Sequence, residues 1–247
     1  EQTAGTVVAG LDLGVSNLGT LVFDDFSTPM LFSGGAVKSV NQWANKTAAR
    51  LQSLLPAGQK SSAQIDKLWA RRHRKINHLL HTISNRIVEQ LVVKRVHRLI
   101  VGYEPGFQNQ VNLGKANNQS FVNIPFGKLL NMLKYKCARY GITVDTTEES
   151  YTSKASFLDG DTLPTLGQKP QGWSPSGKRV KRGLYRSATS RTINADVNGA
   201  YNIIRKVIPT LTPNKVLATD SGCGVHPVRV NLFTRHTLRT SSVDTLL

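Results

Sequence analysis

Residues 6–13 read Thr-Val-Val-Ala-Gly-Leu-Asp-Leu, and this stretch decides the fold. An almost continuous apolar run with β-branched residues is typical of a strand that is buried on both faces. A second extended run covers 18–23. A third covers 30–40, with Gly34 and Gly35 as a bend or bulge. Three strands in immediate succession predict an antiparallel meander.

The rest of the sequence alternates between helical and extended patterns. Apolar side chains at helical spacing or in short buried runs predict helices over 41–55 and 63–97, a strand over 99–104, a helix from Pro125, a strand over 142–147 and a last helix over 193–207. This order predicts an α/β protein with an RNase H-like (RuvC) mixed five-stranded sheet flanked by helices.

The chain divides into four segments by composition. Residues 1–147 are the first part of the core, and 148–192 are a basic, ribbon-like insertion rich in Gly, Pro, Ser, Lys and Arg. Residues 193–208 return to the core, and 209–247 are predicted to be a flexible tail. The sequence begins without Met shortly before a strong strand, which indicates a fragment, a processed chain or half of a split protein.

The charge and the cysteine content narrow the class of protein. A formal net charge of +17 fits a polyanionic partner, although ribosomal and membrane-surface proteins are also this basic. No apolar run is long enough for a membrane span, and no secretory signal is visible. Cys137 and Cys223 form no Cys-x-x-Cys pair, so we expect no zinc. These features predict a cytoplasmic, nucleoid-associated bacterial protein.

Three carboxylates occupy positions that suit a metal site. Asp12 lies in the first buried strand, Glu104 ends the fourth, and Asp196 starts the last helix. Carboxylates that close together repel one another, and Mg²⁺ (or Mn²⁺), which prefers carboxylate oxygens, relieves the repulsion. Two such metals about 4 Å apart activate a water and stabilise the leaving oxygen of a phosphodiester. The acids therefore predict metal-dependent phosphodiester hydrolysis.

Each acid also has a simpler explanation. Asp12 before Leu-Gly is compatible with a strand-end turn, and Glu104 before Pro-Gly with an exposed loop. Asp196 is a residue that the helix dipole favours at a helix start. The three acids in this order of strands and helices are nevertheless better explained together than singly.

Four segments resemble the TnpB nucleases of transposons and the related type V CRISPR effectors. They are Gly10-Leu-Asp-Leu-Gly-Val-Ser-Asn17, Leu99-Ile-Val-Gly-Tyr-Glu104, Glu148-Glu-Ser-Tyr-Thr-Ser-Lys154 and Asn194-Ala-Asp-Val-Asn-Gly-Ala-Tyr-Asn-Ile203. The resemblance implies an RNA-guided DNA endonuclease, with a guide RNA and target DNA as partners and with Asp12, Glu104 and Asp196 binding Mg²⁺.

The sequence departs from the family pattern at three points. Ala155 and Phe157 stand where the family usually has zinc-binding cysteines, so the resemblance implies a ribbon without zinc. The N-terminal half, which in the family binds guide RNA, is absent here and is a possible further partner. Glu148 or Glu149 is an alternative to Glu104 as the middle acid, or assists it.

Basic and polar side chains predict where nucleic acid binds. The candidate set is Trp173, Lys178, Arg179, Lys181, Arg182 and Arg186 in the insertion, Lys115, Asn117, Asn118 and Gln119 after Glu104, and Arg71, Arg72 and Arg74 in the long helix. The alternatives are a mobile charged loop for the first group, helix capping for the second and a solvated helix face for the third.

Other functions are compatible with parts of the pattern. A nuclease-inactive, RNA-guided DNA-binding repressor or transposition factor would share the fold but is expected to have lost a site acid. A Holliday-junction resolvase would share the acids but not the Tyr-Thr-Ser segment or the basic insertion. A purely RNA-binding protein would leave Asp12 buried without a purpose.

Overall fold

The computed structural model describes residues 5–103, 124–213 and 224–232. Its strands are β1 (Val7–Asp12), β2 (Asn17–Phe23), β3 (Met30–Ser33), β4 (Val96–Gly102), β5 (Thr143–Thr147), β6 (Lys178–Lys181), β7 (Leu184–Arg186), β8 (Thr192–Asn194) and β9 (Val228–Val230). Its helices are α1 (Gly35–Gln52), α2 (Ala63–Val93), α3 (Phe126–Ala138) and α4 (Ala195–Val207).

The central sheet is mixed and has the strand order β5-β4-β1-β2-β3-β9. β2 pairs antiparallel with β1 and with β3, as the predicted meander requires, whereas β4 is parallel to β1 and β5 is parallel to β4. The carboxyl ends of β1, β4 and β5 therefore meet at one edge of the sheet, and the β1 carboxylate lies at that edge.

The two faces of the sheet are covered by different helices. One face carries side chains such as Leu11, Leu21 and Leu99, which form one core with the buried stripes of α1, α2 and α3. The opposite face carries Val8 and Ile100 and packs against α4 and the start of the insertion. Because side chains alternate along β1, Asp12 lies on the same face as Val8, towards α4.

The third strand is shorter than predicted. β3 ends at Ser33, and α1 begins at Gly35, so Gly34 and Gly35 mark the start of a helix and not a bend within a strand over 30–40. The reason is visible in the burial of the following residues, which has helical spacing and involves Val37, Asn41, Ala44 and Ala48. Small apolar and polar residues alternate over the first turn of the helix, and this pattern also predicts a strand.

The long helix ends earlier than residue 97. α2 begins after Ser62, whose hydroxyl accepts a hydrogen bond from the amide of Ile65, and ends at Val93. Arg95 has a φ of 51°, a left-handed conformation that an α-helix cannot continue through. The chain then enters β4 at Val96.

The central sheet has six strands, one more than predicted. The additional strand is β9, which pairs in parallel with β3 through Met30 and Val228. It comes from the segment that was predicted to be a flexible tail. Three residues are too few to give a periodic signal, so only the pairing with β3 identifies them as a strand.

The insertion has regular structure of its own. β6, β7 and β8 form a small antiparallel sheet, and Tyr185 on β7 is buried between this sheet and residues 154–157. β8 occupies 192–194, so the last helix begins at Ala195 and not at 193. No helix in the described part of the chain is both long and apolar enough to cross a membrane.

Candidate active site

Asp12 and Asp196 are brought together because α4 lies unusually close to β1. A Cβ atom on Gly10 would stand 2.7 Å from the carbonyl oxygen of Ala200, and a Cβ on Gly199 would stand 3.2 Å from Oδ2 of Asp12. A side chain at Gly10 would push the helix away from the strand, and one at Gly199 would crowd the Asp12 carboxylate. The two glycines thus allow the first turn of α4 to reach the end of β1.

Asp196 is oriented by three neighbours. Asn194 caps α4, because its side-chain oxygen accepts from the amides of Asp196 (3.0 Å) and Val197 (3.2 Å). Asn17 at the start of β2 donates from Nδ2 to Oδ2 of Asp196 at 2.7 Å. The guanidinium of Arg179 lies 3.4 Å from the other carboxylate oxygen. The carboxylate is therefore fixed beside Asp12 before any ligand binds.

Asp12 has a strongly altered proton affinity. Burial and, to a smaller extent, the nearby charge of Asp196 together raise the pKa of Asp12 to about 7, although the charge of Arg179 opposes the change. Ionising Asp12 is costly because the group is buried beside a second carboxylate and the positive charge of Arg179 does not fully compensate. A divalent cation with oxygen ligands would supply such a charge.

Glu149 lies beside the same edge of the sheet. Gly102, the last residue of β4, is the register partner of Asp12 on β1. A Cβ on Gly102 would stand 3.0 Å from Oε1 of Glu149 and 2.4 Å from Ile203 of α4, so the Glu149 carboxylate lies on the α4 side of the sheet. Glu149 is thus one strand away from Asp12 on the same face.

Glu148 has a different environment. It forms an ion pair with Lys206 near the end of α4 and accepts from the amide of Ser150 at 3.0 Å. Burial alone would raise the pKa of Glu148, but the hydrogen bonds from Lys206 and Ser150 outweigh it and hold the pKa below its ordinary value. Glu148 is therefore engaged in structural contacts, and Glu149 is the one of the pair that faces the site.

The middle acid proposed from the sequence, Glu104, lies outside the described residues. Within residues 5–103, 124–213 and 224–232, no three His, Cys, Asp or Glu side chains come together as a metal-binding group. The donor set of Asp12 and Asp196 is made of hard carboxylate oxygens and fits Mg²⁺. Glu104 and Glu149 are the two candidates for a third carboxylate.

A cleft of about 390 Å³ opens beside Asp196. Its lining comes from the β1–β2 turn, β3, the start of α1, the β6–β7 hairpin, the start of α4 and β9, and includes Ser16, Asn17, Lys38, Arg179, Arg182, Asn194, Asp196 and Arg229. Four of these side chains are cationic and only Asp196 is anionic. The cleft therefore suits a polyanion whose backbone passes the carboxylates.

The predicted basic cluster in the insertion divides into two groups. Arg179 and Arg182 point into the cleft, and Arg182 donates a hydrogen bond to the hydroxyl of Ser16. Lys178, Lys181 and Arg186 are exposed on the hairpin but do not line the cleft. Regular alternation would place Lys181 on the same side as Arg179, but the β6–β7 register shifts between these two residues. This irregularity separates residues that the sequence had grouped together.

The other predicted contacts lie elsewhere. Arg71 and Arg72 lie over the rings of Trp43 and Trp69 on the α1–α2 surface and, like the exposed Arg74, do not line the cleft. Trp173 packs edge-on against Tyr151 with ring centroids 5.2 Å apart. Lys115, Asn117, Asn118 and Gln119 lie outside the described residues.

Several cleft residues were not predicted from the sequence. Asn17 belongs to the first quoted motif, so its position directly after the acid strand was a signal that could have been used. Lys38 was not predicted because the start of α1 was interpreted as part of a strand. Arg229 had no local signal, because only the pairing of β9 with β3 brings it to the cleft.

The mixed sheet and its covering helices define an RNase H-like α/β protein. The model of a family of probable transposases, OrfB_IS605, matches residues 1–106, and the model of the Cas12f1-like TNB domain matches residues 126–203. These successive matches confirm the resemblance to the TnpB and type V CRISPR effector group that the motifs indicated.

Individual relatives show the same resemblance in sequence and in fold. The TnpB-like protein ORF457 of Acidianus two-tailed virus is 23% identical over 215 residues, which are 83% of this chain and 42% of the relative. Cryo-EM structures of a Cas12f1–sgRNA–target DNA complex and of a CRISPR-Cas12f ternary complex align with TM-scores of 0.55 and 0.56, at 16% and 14% identity. At such identities the structural likeness concerns the fold alone.

The chain is considerably shorter than these relatives. It spans 42% of the viral protein, and the two structural alignments cover 82% of this chain but only 50% and 39% of the Cas12f chains. The shared part contains the mixed sheet that the sequence predicted, and that prediction is confirmed.

Proposed function

We propose that this chain is the nuclease portion of an RNA-guided DNA endonuclease that hydrolyses phosphodiester bonds with Mg²⁺ or Mn²⁺. The observation that carries the proposal is the pairing of Asp12 with Asp196, which lines a cleft together with four cationic side chains. Carboxylates suit metal binding, and the cations suit a nucleic-acid backbone. The named complexes of the Cas12f neighbours make guide RNA and target DNA the proposed partners.

Asp12 and Asp196 would hold the metal ions, with Glu104 as the third acid. A bound divalent cation would supply an activated water and stabilise the charge that develops on the leaving oxygen. Asn17 keeps the Asp196 carboxylate in one orientation through its 2.7 Å hydrogen bond. Arg179 and Arg182 would bind backbone phosphates of the substrate, and their positive charge would limit repulsion between substrate and acids.

A second candidate function has one observation in its favour. Arg179 already neutralises part of the Asp196 charge at 3.4 Å, as expected in a site that binds nucleic acid without a metal. This arrangement would suit a nuclease-inactive, RNA-guided DNA-binding protein. The retention of both Asp12 and Asp196, together with the raised pKa of Asp12, favours the nuclease.

Metal removal separates the two candidate functions. Labelled single-stranded DNA, and double-stranded target DNA with a matching guide RNA, would be incubated with the protein in Mg²⁺, in Ca²⁺ and in EDTA. Cleavage in Mg²⁺ that EDTA abolishes is expected. Retention of guide-dependent DNA binding with no cleavage under any metal condition would contradict the proposed nuclease and support the second candidate.

The middle acid can be identified by three substitutions. Glu104→Gln is expected to lower Mg²⁺-dependent cleavage by about 100-fold or more, because a metal ligand is lost. Glu149→Gln is expected to cause a smaller loss. Glu148→Gln is expected to preserve cleavage but to lower thermal stability, since it breaks the pair with Lys206. A loss with Glu149→Gln that exceeds the loss with Glu104→Gln would reverse this assignment.

The pKa of Asp12 predicts how metal binding depends on pH. Because the folded-state pKa lies at about 7 and the ordinary value is 3.8, the metal-free folded protein holds an extra proton between these values. Stability without metal should therefore fall as pH rises from 4 to 7. Mg²⁺ affinity should rise about tenfold per pH unit up to pH 7 and then level off. Calorimetric titration with Mg²⁺ between pH 5.5 and 8.5 would measure this change, and a flat profile would contradict it.

A further inference from the structure

The insertion is anchored on the same helix that carries Asp196. Two buried asparagines of α4 hold the first turn of the insertion. Asn198 accepts a hydrogen bond from the amide of Phe157 at 2.9 Å and donates one to the carbonyl of Ala155 at 2.8 Å. Asn202 donates to the carbonyls of Ala155 and Thr152, both at 2.9 Å. Residues 152–157 are therefore fixed relative to Asp196.

Two aspartates extend this fixed turn to the hairpin. Asp161 accepts through Oδ2 from the amides of Ser156 (2.7 Å) and Ser176 (3.1 Å). Asp159 accepts through Oδ2 from the amide of Ala188 at 2.9 Å. The hydroxyl of Ser176 lies within hydrogen-bond distance of both carboxylates, 3.1 Å from Asp159 and 2.5 Å from Asp161.

The partners of these aspartates lie on the two ends of the β6–β7 hairpin. Ser176 precedes β6 by two residues, and Ala188 follows β7 by two residues. Arg179 and Arg182 lie between these ends and reach Asp196 and Ser16. The contacts thus form a closed path that starts on α4, passes through the two aspartates and the hairpin, and returns to α4.

We infer that Asp159 and Asp161 are positioning residues, which clamp both ends of the β6–β7 hairpin and so hold Arg179 and Arg182 over the Asp196 cleft. The functional consequence, correct placement of the substrate backbone, rests on the proposed function. The positioning itself does not. Neither aspartate lines the cleft, so both act through the hairpin.

The amino-acid types suit this role. Each carboxylate presents two acceptor oxygens, which allows Asp161 to receive two backbone amides and a hydroxyl at once. Charged acceptors form stronger hydrogen bonds to amides than neutral ones do. The site that fixes the ends of the hairpin is therefore built from carboxylates, and apolar contacts of Phe157 with Tyr201 (4.6 Å between ring centroids) support the same turn.

Spin labels would measure the position of the hairpin directly. Val180→Cys on the exposed side of β6 and Gln42→Cys on exposed α1 would carry the labels in a Cys223→Ser background, in which the buried Cys137 does not react. The parent should give one narrow distance distribution. The double variant Asp159→Ala/Asp161→Ala should broaden it by about twofold or more, because the hairpin loses the contacts at both ends.

Two further variants test whether the broadening comes from the lost contacts of the hairpin and not from general unfolding. Ser176→Ala removes only the shared hydroxyl and should broaden the distribution by a smaller amount. Asp145→Ala on β5 breaks an ion pair with Arg98 of β4, outside the insertion, and should leave the distribution narrow. A distribution in the double variant that is as narrow as in the parent would overturn the inference.

Binding of labelled single-stranded DNA, followed by fluorescence anisotropy, tests the consequence. The double aspartate variant and Arg179→Gln/Arg182→Gln should each weaken binding, and their combination should weaken it little further, because both act on the same two guanidiniums. Additive losses would overturn the positioning role. If the arginine variant alone leaves binding unchanged, the proposed function of the cleft fails, while the distance distribution still decides the position of the hairpin.

Discussion

Asp12→Asn is expected to lower Mg²⁺-dependent DNA cleavage by about 1,000-fold or more, because the site loses a charged metal ligand while its shape is kept. The same substitution should raise thermal stability at neutral pH. It removes a carboxylate whose ionisation is opposed by burial and by Asp196. For a chain of this size, each kcal/mol corresponds to about 2–4 °C in Tm.

The combination of lost activity and gained stability separates a functional acid from a structural one. Cleavage would be measured with the substrate and guide RNA on which the parent acts, Tm by calorimetry without metal, and Mn²⁺ binding by electron paramagnetic resonance. Asp145→Asn at the edge of the sheet is the matched control and should change neither cleavage nor Mn²⁺ binding. Full cleavage by Asp12→Asn would remove the basis of the proposed nuclease.

Asn198→Ala and Asn202→Ala are each expected to lower the free energy of unfolding by about 2–3 kcal/mol, because each leaves buried backbone groups without a partner. Asn198 is fully buried and satisfies the amide of Phe157 and the carbonyl of Ala155. Asn202 is also fully buried and donates to the same carbonyl of Ala155. The two losses should therefore not be additive.

Urea unfolding followed by circular dichroism would measure both effects. Asn131→Ala on the exposed side of α3 is the matched control, and its effect should stay within about 0.5 kcal/mol. Limited proteolysis should cleave the insertion of the Asn198 and Asn202 variants faster than that of the parent. Losses no larger than the loss of the control would contradict the idea that these asparagines join the insertion to the core.

The sequence predicts the fold well where long patterns exist. The buried run at β1, the meander and the long amphipathic α2 follow from periodicities that span many residues. Short elements are different: β9 has three residues and no pattern, and the first turn of α1 has an ambiguous one. Their structure depends on pairing with β3 and on packing, which are tertiary interactions that no local signal carries.

The candidate site shows a similar division. Asp12 and Asp196 could be proposed as site acids because each occupies an unusual position, one inside a buried strand and the other in a capped first helical turn. The pairing of Arg179 with Asp196 and the contribution of Arg229 depend on contacts between distant segments. Composition identified the basic insertion, but only the strand register shows which of its cations face the acids.

The hydrogen bond between Asn17 and Asp196 has a consequence for biosynthesis, since it joins residues 179 positions apart. During translation the first three strands and α2 leave the ribosome long before α4. Until the start of the insertion and α4 dock, the sheet face that carries Val8 and Asp12 is uncovered, and the contact between Asn17 and Asp196 is expected to form late in folding. The paired acids therefore do not exist in the early nascent chain, and the exposed apolar face at that stage is a natural target for chaperones.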